Sequence, residues 1–72
     1  MFCVYVLQKG SSLYIGYTEN LKRRLAEHSR NRNDVRILYF EAYLQQEAAT
    51  RRERKLKQYG SAWRALKKRI DV

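Results

Sequence analysis

"LYIGYTENLKRRLAEH", residues 13–28, changes its period halfway. The first five residues have the aromatic and branched character of a strand, with a glycine at position 16. From Asn20 onward Leu21, Leu25 and His28 recur at i, i+4 and i+7, the spacing of one helix face. Thr18 or Asn20 can cap the first-turn amides, and Glu19 suits the positive helix end. Arg24 falls between Leu21 and His28, on the edge of the apolar stripe, whereas Lys22 and Arg23 point outward. A tyrosine and a glycine therefore end a strand just before an arginine and a histidine begin to face back towards it.

The rest of the chain follows outward from this junction. "FCVYVLQ" (2–8) has the same strand character and leads into Lys9-Gly10-Ser11-Ser12, which reads as a four-residue hairpin connection. Alternation puts Phe2, Val4 and Val6 on one face of the first strand and Cys3, Tyr5 and Leu7 on the other. In the second strand Leu13, Ile15 and Tyr17 oppose Tyr14 and Gly16. "NRND" (31–34) breaks the helix, and "VRILYFEAY" (35–43) is a third strand. "QQEAATRRERKLKQYG" (45–60) is a long helix with Ala49, Glu53 and Leu56 on one face and Gly60 as its stop. Ser61 is expected to cap a last helix, in which Trp63, Leu66 and Ile70 form the buried stripe. The predicted fold is α+β, a small three-stranded antiparallel sheet flanked by helices in the order β-β-α-β-α-α, as one domain over residues 1–72.

Composition narrows the function. Seventy-two residues bury only about 60% of their unfolded surface, so binding should rely on charge and a shallow cleft. Sixteen Lys and Arg against seven Asp and Glu give +9, a surplus that attracts polyanions. Residues 51–72 hold nine basic and two acidic residues, a net of +7. One cysteine and one histidine exclude an internal disulfide and a zinc cluster. No apolar run approaches the roughly 20 residues a membrane span needs, and "MFCVYVLQKG" is a poor signal peptide, so the cytoplasm is the expected compartment.

"CVYVL", "LYIGYTENLKRRLAEH" and "ATRRERKLKQYG" together resemble the GIY-YIG nuclease superfamily, in particular the small single-domain group related to the nuclease module of the excision-repair C subunit. The two halves of the motif correspond to Cys3-Val4-Tyr5 and Tyr14-Ile15-Gly16, and the likeness extends from Val4 to about Ile70. It implies that Tyr5, Tyr14, Arg24, His28 and Glu53 are catalytic, that Glu53 holds Mg²⁺ or Mn²⁺, and that the substrate is a phosphodiester of DNA. Cys3 stands where the family usually has glycine, Tyr17 where the repair nuclease has lysine, and the late asparagine of larger members has no counterpart.

The residue types suit that chemistry. Phosphodiester cleavage needs an activated water and neutralisation of the phosphoryl charge. Glu53 is the one well-placed carboxylate, which disfavours two metals; an ordinary i,i+4 pair with Lys57 is its plain alternative. The planar fork of Arg24 matches two phosphate oxygens. A tyrosine with a pKa of about 10 costs about 4 kcal/mol to ionise at pH 7. Tyr5 is the expected base or base relay, and Tyr14 the expected positioner of water or phosphate. His28 is expected to support a tyrosine rather than react, and Gly16 to keep the ground between the tyrosines and Arg24 clear.

Arg23, Arg52, Lys55, Lys57, Arg64, Lys67 and Lys68 are the candidates for tracking a nucleic-acid backbone with salt-sensitive affinity. DNA is the expected partner and RNA an open alternative, a membrane is not expected, and a separate targeting protein would supply specificity. The competing function is a non-catalytic nucleic-acid-binding module, for DNA or RNA, on the same fold.

Overall fold

A computed structural model describes all 72 residues. Strand β1 (Phe2–Lys9) and strand β2 (Ser12–Thr18) form a hairpin, followed by helix α1 (Leu21–His28), strand β3 (Val35–Tyr43), helix α2 (Gln46–Gln58) and helix α3 (Gly60–Ile70). The fold is α+β, and the sheet is antiparallel in the order β2-β1-β3. The whole body measures 31 × 25 × 17 Å.

The middle strand is buried on both sides, from Cys3 to Leu7. Val4 and Val6 pack with Ala49 and Leu56 of α2 and Leu66 of α3, with Ile15, Tyr39, Trp63 and Ile70 around them. Tyr17 also lines this face and stacks on Phe2 at 6.4 Å; its hydroxyl is buried without a partner, so the core uses the ring alone. Cys3, Tyr5 and Leu7 point the other way, where Tyr5 meets His28 of α1.

Local details depart from the sequence expectation at two joints. The hairpin connection has two residues, Gly10 and Ser11, because Lys9 pairs directly with Ser12. Gly10 takes φ +58°, as a glycine-first two-residue turn requires, and its amide donates to the Asp34 carbonyl at 3.1 Å. Gly60 is not a left-handed stop but the first residue of α3, and Ser61 caps nothing. Tyr59 separates the helices by adopting an extended conformation, φ −113° and ψ 105°, which serves both helix ends.

Arg52 also departs from its expected role. On the core face Glu41 accepts from Arg52 at 3.0 and 3.1 Å, from Tyr39 at 2.8 Å and from Tyr43 at 2.7 Å. That guanidinium is committed inside the fold and is not a free phosphate contact. Burial by itself would raise the Glu41 carboxyl, but the hydrogen bonds from Arg52, Tyr43 and Tyr39 outweigh it and hold the pKa below 4.5. Burial and the bond to Glu41 push Tyr43 up to about 12, so it remains a donor.

Because the folded state lowers this carboxyl, its contribution is complete above the ordinary carboxylate pKa and fades as pH falls through the folded value. Glu41→Gln should lower stability by on the order of 2 kcal/mol at pH 7, since it removes the charge opposite a half-buried guanidinium. Thermal unfolding should show that difference shrinking as the pH is taken below 4.5.

Candidate active site

The β2–α1 junction is built by side chains. The Asn20 amide donates to Thr18 Oγ1 at 3.1 Å, and Asn20 Oδ1 accepts from the Arg23 amide at 3.0 Å. Asn20, not Thr18, is thus the helix cap. The cap fixes the phase of α1, so that Arg24 and His28, one turn apart, face the sheet while Lys22 and Arg23 are exposed.

Tyr5 is 5% exposed and lies at the centre of this arrangement. Its Oη is 3.3 Å from His28 Nε2, and the two rings meet edge to face. Tyr5 pairs with Gly16 across the hairpin and leans over it. A Cβ on residue 16 would collide with the phenol oxygen and Cζ and come within 2.9 Å of Cε2. Here the glycine is required by close approach, not by φ.

The charges around Tyr5 come from two helices, α1 and α2. Burial raises the phenol pKa, Arg24 pulls it down, and Glu53 and Glu27 push it up. Arg24, Glu53 and Tyr5 therefore lie within one electrostatic neighbourhood, though no direct bond joins them. Arg24 Nε is 3.7 Å from Glu27 Oε1. Glu53, with its side chain 24% exposed, has Lys57 Nζ at 3.0 Å from Oε2, so the i,i+4 pair is formed. His28 is held below 6.5 by burial, with Lys9 and Arg24 adding to the effect.

Tyr14 shares the sheet face of Tyr5 but sits opposite Leu7, nearer the hairpin turn. It is 46% exposed, and Lys9 Nζ lies 5.5 Å above its ring. Structure thus gathers Tyr5, His28, Arg24 and Glu53 and leaves Tyr14 at the rim. Sequence reasoning overlooked Glu27 and Lys9; the i,i+3 spacing of Glu27 from Arg24 was the available signal for the first. Of the expected backbone-tracking residues, Arg23, Lys55, Arg64 and Lys68 are exposed, Lys57 is paired with Glu53, and Lys67 lies over Trp63 at 5.6 Å.

No three His, Cys, Asp or Glu side chains form a metal cage. A single, partly exposed carboxylate among phenols and cations fits a different donor set. A hard divalent ion that keeps several waters and takes oxygens from a substrate phosphate needs only one or two protein carboxylates.

With the order β-β-α-β-α-α, comparison with known families places the chain in a nuclease superfamily. The chain belongs to the GIY-YIG family: residues 1–68 match the model of the GIY-YIG catalytic domain. It is similar to the UPF0213 protein of Natronomonas pharaonis, 38% identical over 76 aligned residues that cover 93% of this chain and 86% of the relative. The UPF0213 protein of Haloquadratum walsbyi is 35% identical, covering 78% and 73% of the two chains, and that of Clostridium perfringens 37%, covering 69% and 63%. No solved structure matches at comparable significance.

Gly16→Ala should displace the Tyr5 ring and expose His28. Because burial is the main cause of the lowered His28 pKa, an NMR titration of the imidazole should show it returning towards 6.5 in the variant.

Proposed function

We propose that this protein is a divalent-metal-dependent DNA endonuclease that hydrolyses phosphodiester bonds with a single metal ion. The observation that carries the reading is Tyr5 Oη, held against His28 Nε2 at 3.3 Å within the field of Arg24 and Glu53. A family built for phosphodiester chemistry and a surplus of positive charge support it.

Arg24 binds the scissile phosphate and offsets the charge that grows on its oxygens. Glu53 is the residue that would hold the metal, which when bound would supply positive charge to offset that growing on the phosphate. Lys57 must leave Oε2 for that carboxylate to serve. Tyr14 orients the water or the phosphate from the rim.

The proton path follows from two opposed shifts. Burial keeps Tyr5 protonated at rest, so it does not wait as a phenolate. His28 is neutral at pH 7 because its pKa lies below 6.5. Tyr5 therefore takes a proton from the attacking water as it passes its own to His28 Nε2. The hydroxide formed attacks phosphorus as the P–O bond to the leaving oxygen breaks; the departing alkoxide takes a proton from solvent, and His28 releases its proton to solvent before the next turnover.

A second reading, a nucleic-acid-binding module without cleavage and acting on DNA or RNA, is favoured by one observation: Lys57 already neutralises Glu53. Incubation with plasmid and with flapped DNA, plus Mg²⁺ or Mn²⁺, separates the two. Arg24→Ala and Glu53→Ala should each lose cleavage by more than tenfold while most DNA binding persists. Binding by the unmodified protein with no nick in any substrate would establish the second reading.

The relay also fixes a pH dependence. Cleavage needs neutral His28, so the rate should rise with pH, with a midpoint below 6.5, and level off near neutrality. A single-turnover pH profile of His28→Gln should lack that acidic limb.

A further inference from the structure

Phe40 is the unexplained residue of the site face. It pairs directly with Tyr5 across β1 and β3, so both side chains rise from the same side of the sheet. Tyr5 is buried, whereas Phe40 is 55% exposed. Its ring joins neither of the aromatic pairs and neither of the cation–ring contacts. The next residue on that face, Ala42, is small and exposed, which leaves the ring open from the side.

The surroundings select the occupant. Across all three strands the only carboxylate is Glu41. It pairs with Val4 and so belongs to the opposite face, where Arg52 neutralises it. The face of Phe40 therefore presents no strand carboxylate to an approaching polyanion; the helix carboxylates that reach the field of Tyr5, Glu27 and Glu53, are offset by Arg24 and Lys57, and Lys9 over the Tyr14 ring adds a further positive charge to that face. An apolar ring in a field that attracts phosphates suits a ligand that is both flat and anionic.

Position narrows it further. The Tyr5 phenol leans over Gly16, towards β2, and Phe40 stands on β3. With strands about 4.8 Å apart, two spacings put the ring roughly 10 Å from the Tyr5 hydroxyl. That separation lets a base stack while a phosphate of the same strand lies over Tyr5. A base within a duplex is already covered on both faces and would have to be pulled out at an energetic cost.

We propose that Phe40 is a stacking platform for an unpaired nucleobase, and that the site therefore prefers strands with an unstacked nucleotide next to the target phosphate. The inference rests on the nucleic-acid reading above, but its test does not need cleavage. Base stacking on an aromatic residue is sequence-tolerant, and its loss by alanine substitution weakens single-strand binding about 5- to 150-fold.

The experiment uses a 12-mer DNA strand without self-complementarity carrying 2-aminopurine, in EDTA, against the same strand annealed to its complement. Single-strand binding by the unmodified protein should quench the fluorescence. Phe40→Ala should lose that quenching and weaken single-strand binding at least fivefold, Phe40→Trp should keep both, and duplex binding should change less than twofold in either variant. Thermal unfolding, expected to be unchanged at so exposed a position, shows that the variants are folded. Equal single-strand binding by Phe40→Ala would overturn the proposal. So would an equal loss on both probes, or a change of oligomeric state on sedimentation, which would make the face a contact between copies. Quenching without nicking in Mg²⁺ would sink the nuclease reading alone; nicking with no effect of Phe40→Ala would sink the stacking platform alone.

Discussion

Five consecutive residues of β1, Cys3 to Leu7, are withdrawn from water, and alternation forces that one strand to serve two environments. Val4 and Val6 anchor the helices α2 and α3. Tyr5, between them in sequence, projects into the opposite layer beside His28. The core that keeps so small a fold together and the group at the centre of the candidate site are therefore neighbours on one backbone. A shift of β1 by a single residue would exchange them, placing a phenol among the leucines and a valine opposite the imidazole.

This coupling explains why the hairpin partner has a glycine where it does. The Tyr5 ring cannot be both buried and close to His28 unless the opposing strand leaves room, and Gly16 leaves it. The same choice has an energetic side. Burial raises the Tyr5 pKa and lowers that of His28, so both groups are neutral at pH 7. A site of reduced polarity favours both groups in their uncharged forms.

Much of this was legible in the chain. Apolar periodicity gave the six elements, the two faces of the hairpin and the phase of α1, because burial writes a period of two or 3.6 into the residues that face the core. The candidate residues Tyr5, Arg24, His28 and Glu53 were proposed from spacing and resemblance, and they lie in one electrostatic neighbourhood. What escaped was pairwise. Arg52 looked like one more cation in a basic run, but its partner is a strand glutamate eleven positions earlier, and no local pattern announces such a pair. Gly60 looked like a helix stop because glycine usually supplies a left-handed residue there; Tyr59 does the work with an ordinary extended backbone. The two-residue turn was hidden because Lys9 and Ser12, both polar, continue the ladder.

The body of the fold is 31 Å in its longest direction. Laid along a duplex, at 3.4 Å per base pair, that is about nine steps, less than one full turn of the helix. A footprint of this length touches each groove at most once. Recognition by this unit is confined to the geometry of the few nucleotides beneath it, and information from a neighbouring turn would have to be carried in by something else.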